Sequence, residues 1–186
     1  MKYSIDVICN DFRKKSKMKY IFFWGHQPSA DGSVTKSCLS QWYDCKFIVD
    51  GVEYHTAEQY MMSQKALLFG DTKINQEIMQ ANHPKQFKDM GRRISGFNEK
   101  VWNDNKSDIV IKGNYAKFSQ NPELKGFLIG TYNRILVEAS PYDKIWGIGM
   151  SAVDKNINNP LEWNGENLLG FCLMEVRDML LEGKDD

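Results

Sequence analysis

Short apolar runs and long helical periodicities divide this chain between two kinds of element. Tyr20 to Trp24 is apolar and aromatic-rich and stops at Gly25, and the turn residues of Pro28 to Ser33 follow, so the pattern predicts a strand and then a loop. Cys45 to Val49 and Val52 to His55 are two β-prone runs on either side of Asp50-Gly51, the dipeptide that suits a tight hairpin. Thr56-Ala57-Glu58-Gln59 fits a capping box, with the Thr56 hydroxyl and the Gln59 side chain reciprocally serving first-turn N–H groups of a helix that runs to about Phe69 and stops at Gly70. Further helices are predicted over Pro84 to Arg92, Asn98 to Ser119, and Pro122 to Tyr132, the last opening on a proline at a favoured first-turn position. Ile135 to Ala139 and Lys144 to Ile148 read as short strands around Ser140-Pro141. Leu168, Leu169, Cys172, Leu173, Val176, Met179 and Leu180 recur at helical spacing and place an amphipathic helix over Glu166 to Glu182, ending at Gly183. The expected class is α+β, a single mainly helical domain with a few short strands.

Composition narrows the function classes. With 186 residues and 42% hydrophobic content, one well-buried core is the expectation, assigned here to residues 20 to 183. Residues 1 to 19, where Arg13, Lys14, Lys15, Lys17 and Lys19 cluster without clear period, are read as an N-terminal arm whose charges are solvated. The 24 basic and 24 acidic residues cancel, which excludes the strong positive field of a protein living on phosphate backbones and leaves any nucleic-acid contact local. Cys9, Cys38, Cys45 and Cys172 form no CxxC pair and no zinc spacing, and His26, His55 and His83 are scattered, so neither a metal, a cofactor nor a Ser-His-Asp arrangement is signalled. A signal pattern and a bilayer-length apolar run are both missing from the sequence, so a cytoplasmic protein without a membrane partner is expected.

Three groups of residues could carry chemistry. Glu58 and Lys65 stand seven positions apart and share one face of the predicted helix with Met61, Met62 and Phe69. Ionisable groups on an apolar face have shifted proton affinities that suit acid, base or nucleophile work. A first-turn carboxylate favoured by the helix dipole and a lysine reaching solvent account for the same spacing without any chemistry. The second group is aromatic: Trp24, Trp102 and Trp146 stand beside polar or Gly-rich segments where a planar base could stack, whereas most tryptophans of a domain this size are core. The third is Ser140 to Gly149, where a turn delivers Asp143 near Trp146 and the glycines around Gly147 allow peptide N–H groups to approach a phosphate.

These residues fall within a longer series. Phe23-Trp24-Gly25-His26, Lys36 to Trp42, Thr56 to Tyr60 with Gln64-Lys65, Gly91-Arg92-Arg93, Ala116-Lys117-Phe118, Leu136 to Pro141, Asp143, Trp146 to Gly149, Asn167 to Gly170 and Leu173 to Arg177 resemble, in order, the successive motifs of the NADAR/YbiA-like family, from about Tyr20 to Leu181. The resemblance implies an N-glycosidase acting on ribosylated compounds. Two substrate classes go with it: ADP-ribose on guanine, in nucleic acid or nucleotide, where such a domain serves as antitoxin to an ADP-ribosyltransferase toxin, and a phosphorylated ribosylamino-pyrimidine of riboflavin biosynthesis. Trp24-Gly25-His26 and the Lys36 to Trp42 run resemble the first branch more, so removal of ADP-ribose is the expectation. A non-catalytic ADP-ribose reader is the competing class. By position Glu58 is similar to the family's catalytic glutamate, Trp102, Asp143 and Trp146 match pocket residues, and Lys36 and Lys65 each match lysines of the pattern, either of which could supply the Schiff base attributed to the family. Lys117, Arg92 and the backbone near Gly147 are candidates for holding phosphate, with Trp24 or Trp102 stacking on a base and Gly25 beside it.

Overall fold

A computed structural model describes residues 1–183. The backbone gathers into two compact units, one made of Met1–Ser40 together with the residues from Glu123 onwards, the other of Gln41–Pro122. Helices with a few short strands make up both, so the fold class is α+β.

In the first unit, residues that showed no period in the sequence form helix α1 (Ile5–Arg13), capped by the Ser4 hydroxyl, which accepts the Val7 N–H, and buried at Ile8. Strand β1 (Tyr20–Phe23) pairs in parallel with β4 (Ile135–Glu138), in register from Tyr20 opposite Ile135 to Phe23 opposite Glu138. Between them in sequence, helix α6 (Pro122–Ile129) leads into β4. It is shorter than the pattern predicts, because Thr131 turns its hydroxyl onto the Leu128 carbonyl and Tyr132 adopts a positive φ.

Helix α7 (Leu168–Glu182) packs on β4 and is buried on nearly every face, from Leu168 to Met174 and again at Val176, Arg177 and Leu180. Its start is fixed by the Asn167 side chain, which donates to the Leu136 carbonyl and accepts the Glu138 N–H at 2.9 Å each, completing hydrogen bonds that β4 would otherwise lack on that edge. Gly170 is required at this approach, since a Cβ there would overlap the Leu136 carbonyl. The buried Arg177 guanidinium is satisfied by the Thr131 hydroxyl and the Arg134 carbonyl.

The predicted strand over Lys144 to Ile148 does not form. Asp143 captures the N–H groups of Ile145 and Trp146 with one carboxylate oxygen, which curls the backbone into a turn instead of leaving those donors for a strand partner. Short polar residues compete with ladder hydrogen bonds in this way, and β-prone composition did not override it.

The second unit is built around helix α2 (Ala57–Leu68). Before it, β2 (Phe47–Val49) and β3 (Val52–Tyr54) form the expected antiparallel hairpin, with Asp50 and Gly51 at φ 51° and 81°, the left-handed pair that a two-residue turn of this kind demands. Phe47, Tyr54 and Tyr60 meet with ring centroids 5.1–6.2 Å apart and anchor the hairpin to α2. Thr56 caps α2 through the Gln59 N–H, as predicted, but the Gln59 side chain reaches past the cap to the His55 N–H and also donates to the Ile78 carbonyl.

That second bond ties α2 to α3 (Thr72–Gln80), a helix the sequence reading missed, although Asp71 caps it and Ile74 and Ile78 bury its one apolar face. Helices α4 (Pro84–Gly91) and α5 (Glu99–Gln120) also pack on α2. Gly91 lets α4 come close to α2: a Cβ at that position would overlap the Met62 sulfur.

Candidate functional site

Helix α2 is buried all round through its first two turns, from Ala57 to Ser63, so its polar residues point into protein. Glu58 is only 5% exposed, and its backbone N–H donates to the Gln41 carbonyl at 2.9 Å, fixing the first turn in place. A carboxylate at this position also lies in the favourable field of the helix N-terminus. The dipole alone accounts for a carboxylate in this first turn; its burial is what the sequence did not show.

Two turns further on, Lys65 is half-buried. Its Nζ donates to the Gly91 carbonyl at 3.0 Å and stands 4.5 Å from the centroid of the Phe97 ring and 5.3 Å from that of Trp102. Burial lowers its proton affinity below the ordinary lysine range, while the charge of Glu58 opposes that shift. A carboxylate and an amine that feel each other across an otherwise apolar and aromatic face can divide acid, base and nucleophile roles between them.

Of the other residues nominated in this unit, Trp102 lies in the first turn of α5 with its ring against the Lys65 amine. Arg92, at the end of α4, is exposed and pairs with Asp89 at 3.3 Å. Lys117 is fully enclosed, its Nζ 5.6 Å from the Tyr43 ring centroid and 5.1 Å from that of Phe118.

The first unit holds the remaining candidates. Trp24 is exposed, followed by Gly25 at φ 84°, and its ring lies 6.1 Å from that of the exposed Tyr142. Lys36 is exposed at the head of a short 3-10 helix, Lys36–Leu39, that Thr35 caps. Asp143 organises its turn: its N–H donates to the Ser140 hydroxyl, one carboxylate oxygen accepts from Ile145 and Trp146, and its carbonyl accepts the Gly149 N–H at 2.9 Å. Trp146 is half-buried with its carbonyl accepting the Leu169 N–H, and Gly147 is buried where a Cβ would stand 2.8 Å from the Glu138 carbonyl oxygen. The Gly149 N–H, one of those imagined for a phosphate, is therefore engaged by the turn itself.

A cavity of about 460 Å³ in this unit, between α1, residues 16 to 19 and the start of β4, contains none of the nominated residues. Among the described residues no helix is long and apolar enough to cross a membrane, and no three His, Cys, Asp or Glu side chains gather as a metal site.

Phe97 and the Gly91 carbonyl are the site features the sequence reading did not single out for a role. A phenylalanine between Gly96 and Asn98, just ahead of the Trp102 turn, was the available signal for the first; the second is a backbone atom and leaves no mark in composition.

Known proteins share this arrangement of sequence. The NADAR domain model matches residues 22–181. The N-glycosidase R617 of Acanthamoeba polyphaga mimivirus is 45% identical over 166 residues, which cover 86% of this chain and 95% of that protein. The N-glycosidase YbiA of Escherichia coli is 35% identical over 132 residues, 71% of this chain and 74% of that one. The NMR structure of E. coli YbiA is similar with a TM-score of 0.72 at 29% identity, covering 91% of this chain and 89% of the other.

Proposed function

The chain belongs to the NADAR domain family, and from that premise we propose that it removes ADP-ribose from guanine by hydrolysing the bond between ribose C1 and the base nitrogen. The coarser activity, hydrolysis of an N-glycosyl compound, is the one its relatives' names carry. Trp24-Gly25-His26 and the Lys36 to Trp42 run support the guanine substrate, since these motifs resemble the branch associated with it.

One observation carries the chemical reading: on one helix, a glutamate only 5% exposed is followed two turns later by a half-buried lysine whose amine is held by the Gly91 carbonyl and the Phe97 and Trp102 rings. When the C1–N bond breaks, its electron pair stays on the departing nitrogen, which takes a proton, while positive charge builds on C1. Glu58 is assigned both ends of this exchange: as a carboxylate it takes a proton from the water whose oxygen adds to C1 and passes a proton to the departing base nitrogen. In a ribose whose ring opens while the base is still attached, C1 is joined to the base nitrogen by a C=N bond. The neutral Lys65 amine adds to C1, its proton passes to the base nitrogen, and the base leaves as the lysine imine forms; water then hydrolyses the imine to the sugar aldehyde and the free amine. Lys65 is preferred to Lys36 for this step because its amine is held among neutral groups and its protonated form is disfavoured.

Incubation with ADP-ribosylated guanine DNA and, in parallel, the ribosylamino-pyrimidine phosphate, followed by mass spectrometry, tests the proposal. Release of unmodified guanine sites is expected. Cleavage of the pyrimidine compound alone would overturn the substrate, and binding of ADP-ribose without product from either would overturn the activity in favour of a reader. Borohydride added during turnover is expected to leave the sugar on the Lys65 peptide; an unlabelled chain after ample turnover removes the imine.

A further inference from the structure

The segment between α4 and α5 is fixed at both ends. Ser95 is bound through its N–H and its hydroxyl to one Asp71 carboxylate oxygen, each at 2.9 Å, and the other Asp71 oxygen caps α3 by accepting the Ile74 N–H. Gly96 turns the chain at φ 68°, and Asn98 caps α5 through the Val101 N–H at 3.0 Å. The one large side chain between these anchors is Phe97. It stays half-exposed at 47%, an unusual state for a phenylalanine, while its ring packs edge to face on Phe69 at 5.3 Å and presents itself 4.5 Å from Lys65 Nζ.

We infer that Phe97 is a positioning residue for the Lys65 amine: held by the Asp71-anchored loop, its ring works with the Gly91 carbonyl and the Trp102 ring to set where the amine sits and to keep water from it. This rests on the reading of Lys65 as the reacting amine. Lys65 Nζ meets three neutral groups from other elements: the Gly91 carbonyl of α4, the Phe97 ring of the loop and the Trp102 ring of α5. Glu58, on its own helix, is the charged group that acts on it. An amine in such a setting is oriented without being locked into an ion pair, so it can lose its proton and still point in one direction. A ring face attracts the ammonium weakly and its bulk displaces solvent; the second effect is the larger here, since burial is the leading cause of the lowered proton affinity of Lys65.

The test reads the amine in the intact, unliganded protein. Reductive methylation of Lys65 is followed across pH by peptide mass spectrometry, with the exposed Lys36 as reference in the same molecule, and turnover is measured beside it. Phe97→Ala admits water, so the Lys65 midpoint is expected to rise by about half a unit to one unit, and kcat near neutral pH to fall up to about tenfold with KM little changed. Phe97→Tyr keeps the ring and is expected to restore both. Asp71→Ala leaves every aromatic ring in place but frees Ser95, and is expected to move the midpoint the same way as Phe97→Ala by a smaller amount. An unchanged midpoint in folded Phe97→Ala, or a Tyr variant no better than Ala, overturns the inference. Undiminished turnover by Lys65→Met would instead sink the amine's role in the reaction, a failure seen separately because the midpoint is read without substrate.

Discussion

Helix α2 and the Ser140–Gly149 turn both carry a carboxylate that the sequence put forward for the site, and the fold treats the two in opposite ways. On α2 the N–H groups of Glu58 and Gln59 are met by the Gln41 carbonyl and the Thr56 hydroxyl, so capping the helix falls to residues other than the buried Glu58 carboxylate. In the turn there is no regular ladder, and the Asp143 carboxylate is consumed by the N–H groups of Ile145 and Trp146. The capped helix does not call on Glu58 for its backbone, whereas the irregular segment needs Asp143 for its own shape. Glu58 and Asp143 should accordingly fail in different ways when replaced.

The largest effect is expected from Glu58→Gln, which keeps the shape and removes the group that moves the proton: turnover of ADP-ribosylated guanine should fall about 10²–10⁴-fold. Undiminished turnover would break the comparison at its first term. Asp143→Ala should show the reverse emphasis, losing about 1–3 kcal/mol of stability in denaturant titration because two backbone donors lose their acceptor; a variant as stable as the parent would mean the turn is held by other contacts. A smaller effect sharpens the α2 side. Burial depresses the Lys65 proton affinity, so between that lowered value and the ordinary 10.5 the unfolded chain binds more protons than the folded one, and this group's contribution to stability rises with pH through that window and is lost as pH falls through the folded value. Lys65→Met removes the dependence, and the melting temperature of the parent relative to that variant should climb as pH is raised towards 10.5. Smallest of all, Arg92→Ala deletes an exposed pair with Asp89 and should change stability by less than about 0.5 kcal/mol; a marked rise in KM with unchanged stability would give Arg92 a part in holding phosphate.

What could be read from the sequence follows the same division. The hairpin at Asp50-Gly51, the Thr56 cap and the helices at Pro84, Asn98 and Leu168 were legible because local chemistry and hydrophobic period agree there. The strand assigned to Lys144–Ile148 was not, since Asp143 overrides β propensity with bonds made one side chain at a time. Helix α3 was overlooked because its apolar stripe amounts to Ile74 and Ile78 over nine residues, too few to stand out before Gln59 and Asp71 are seen to hold it. For the site, spacing alone put Glu58 and Lys65 on one face of α2, but not which of two lysines is embedded. That follows from Gly91, Phe97 and Trp102, which reach Lys65 from elements remote in the chain.

The parallel ladder between β1 and β4 joins segments more than a hundred residues apart. Everything the second unit needs, by contrast, lies in one continuous stretch from Gln41 to Pro122. The stretch bearing Glu58 and Lys65 therefore closes on near neighbours in sequence, whereas pairing β1 with β4 carries the entropy cost of a far longer loop.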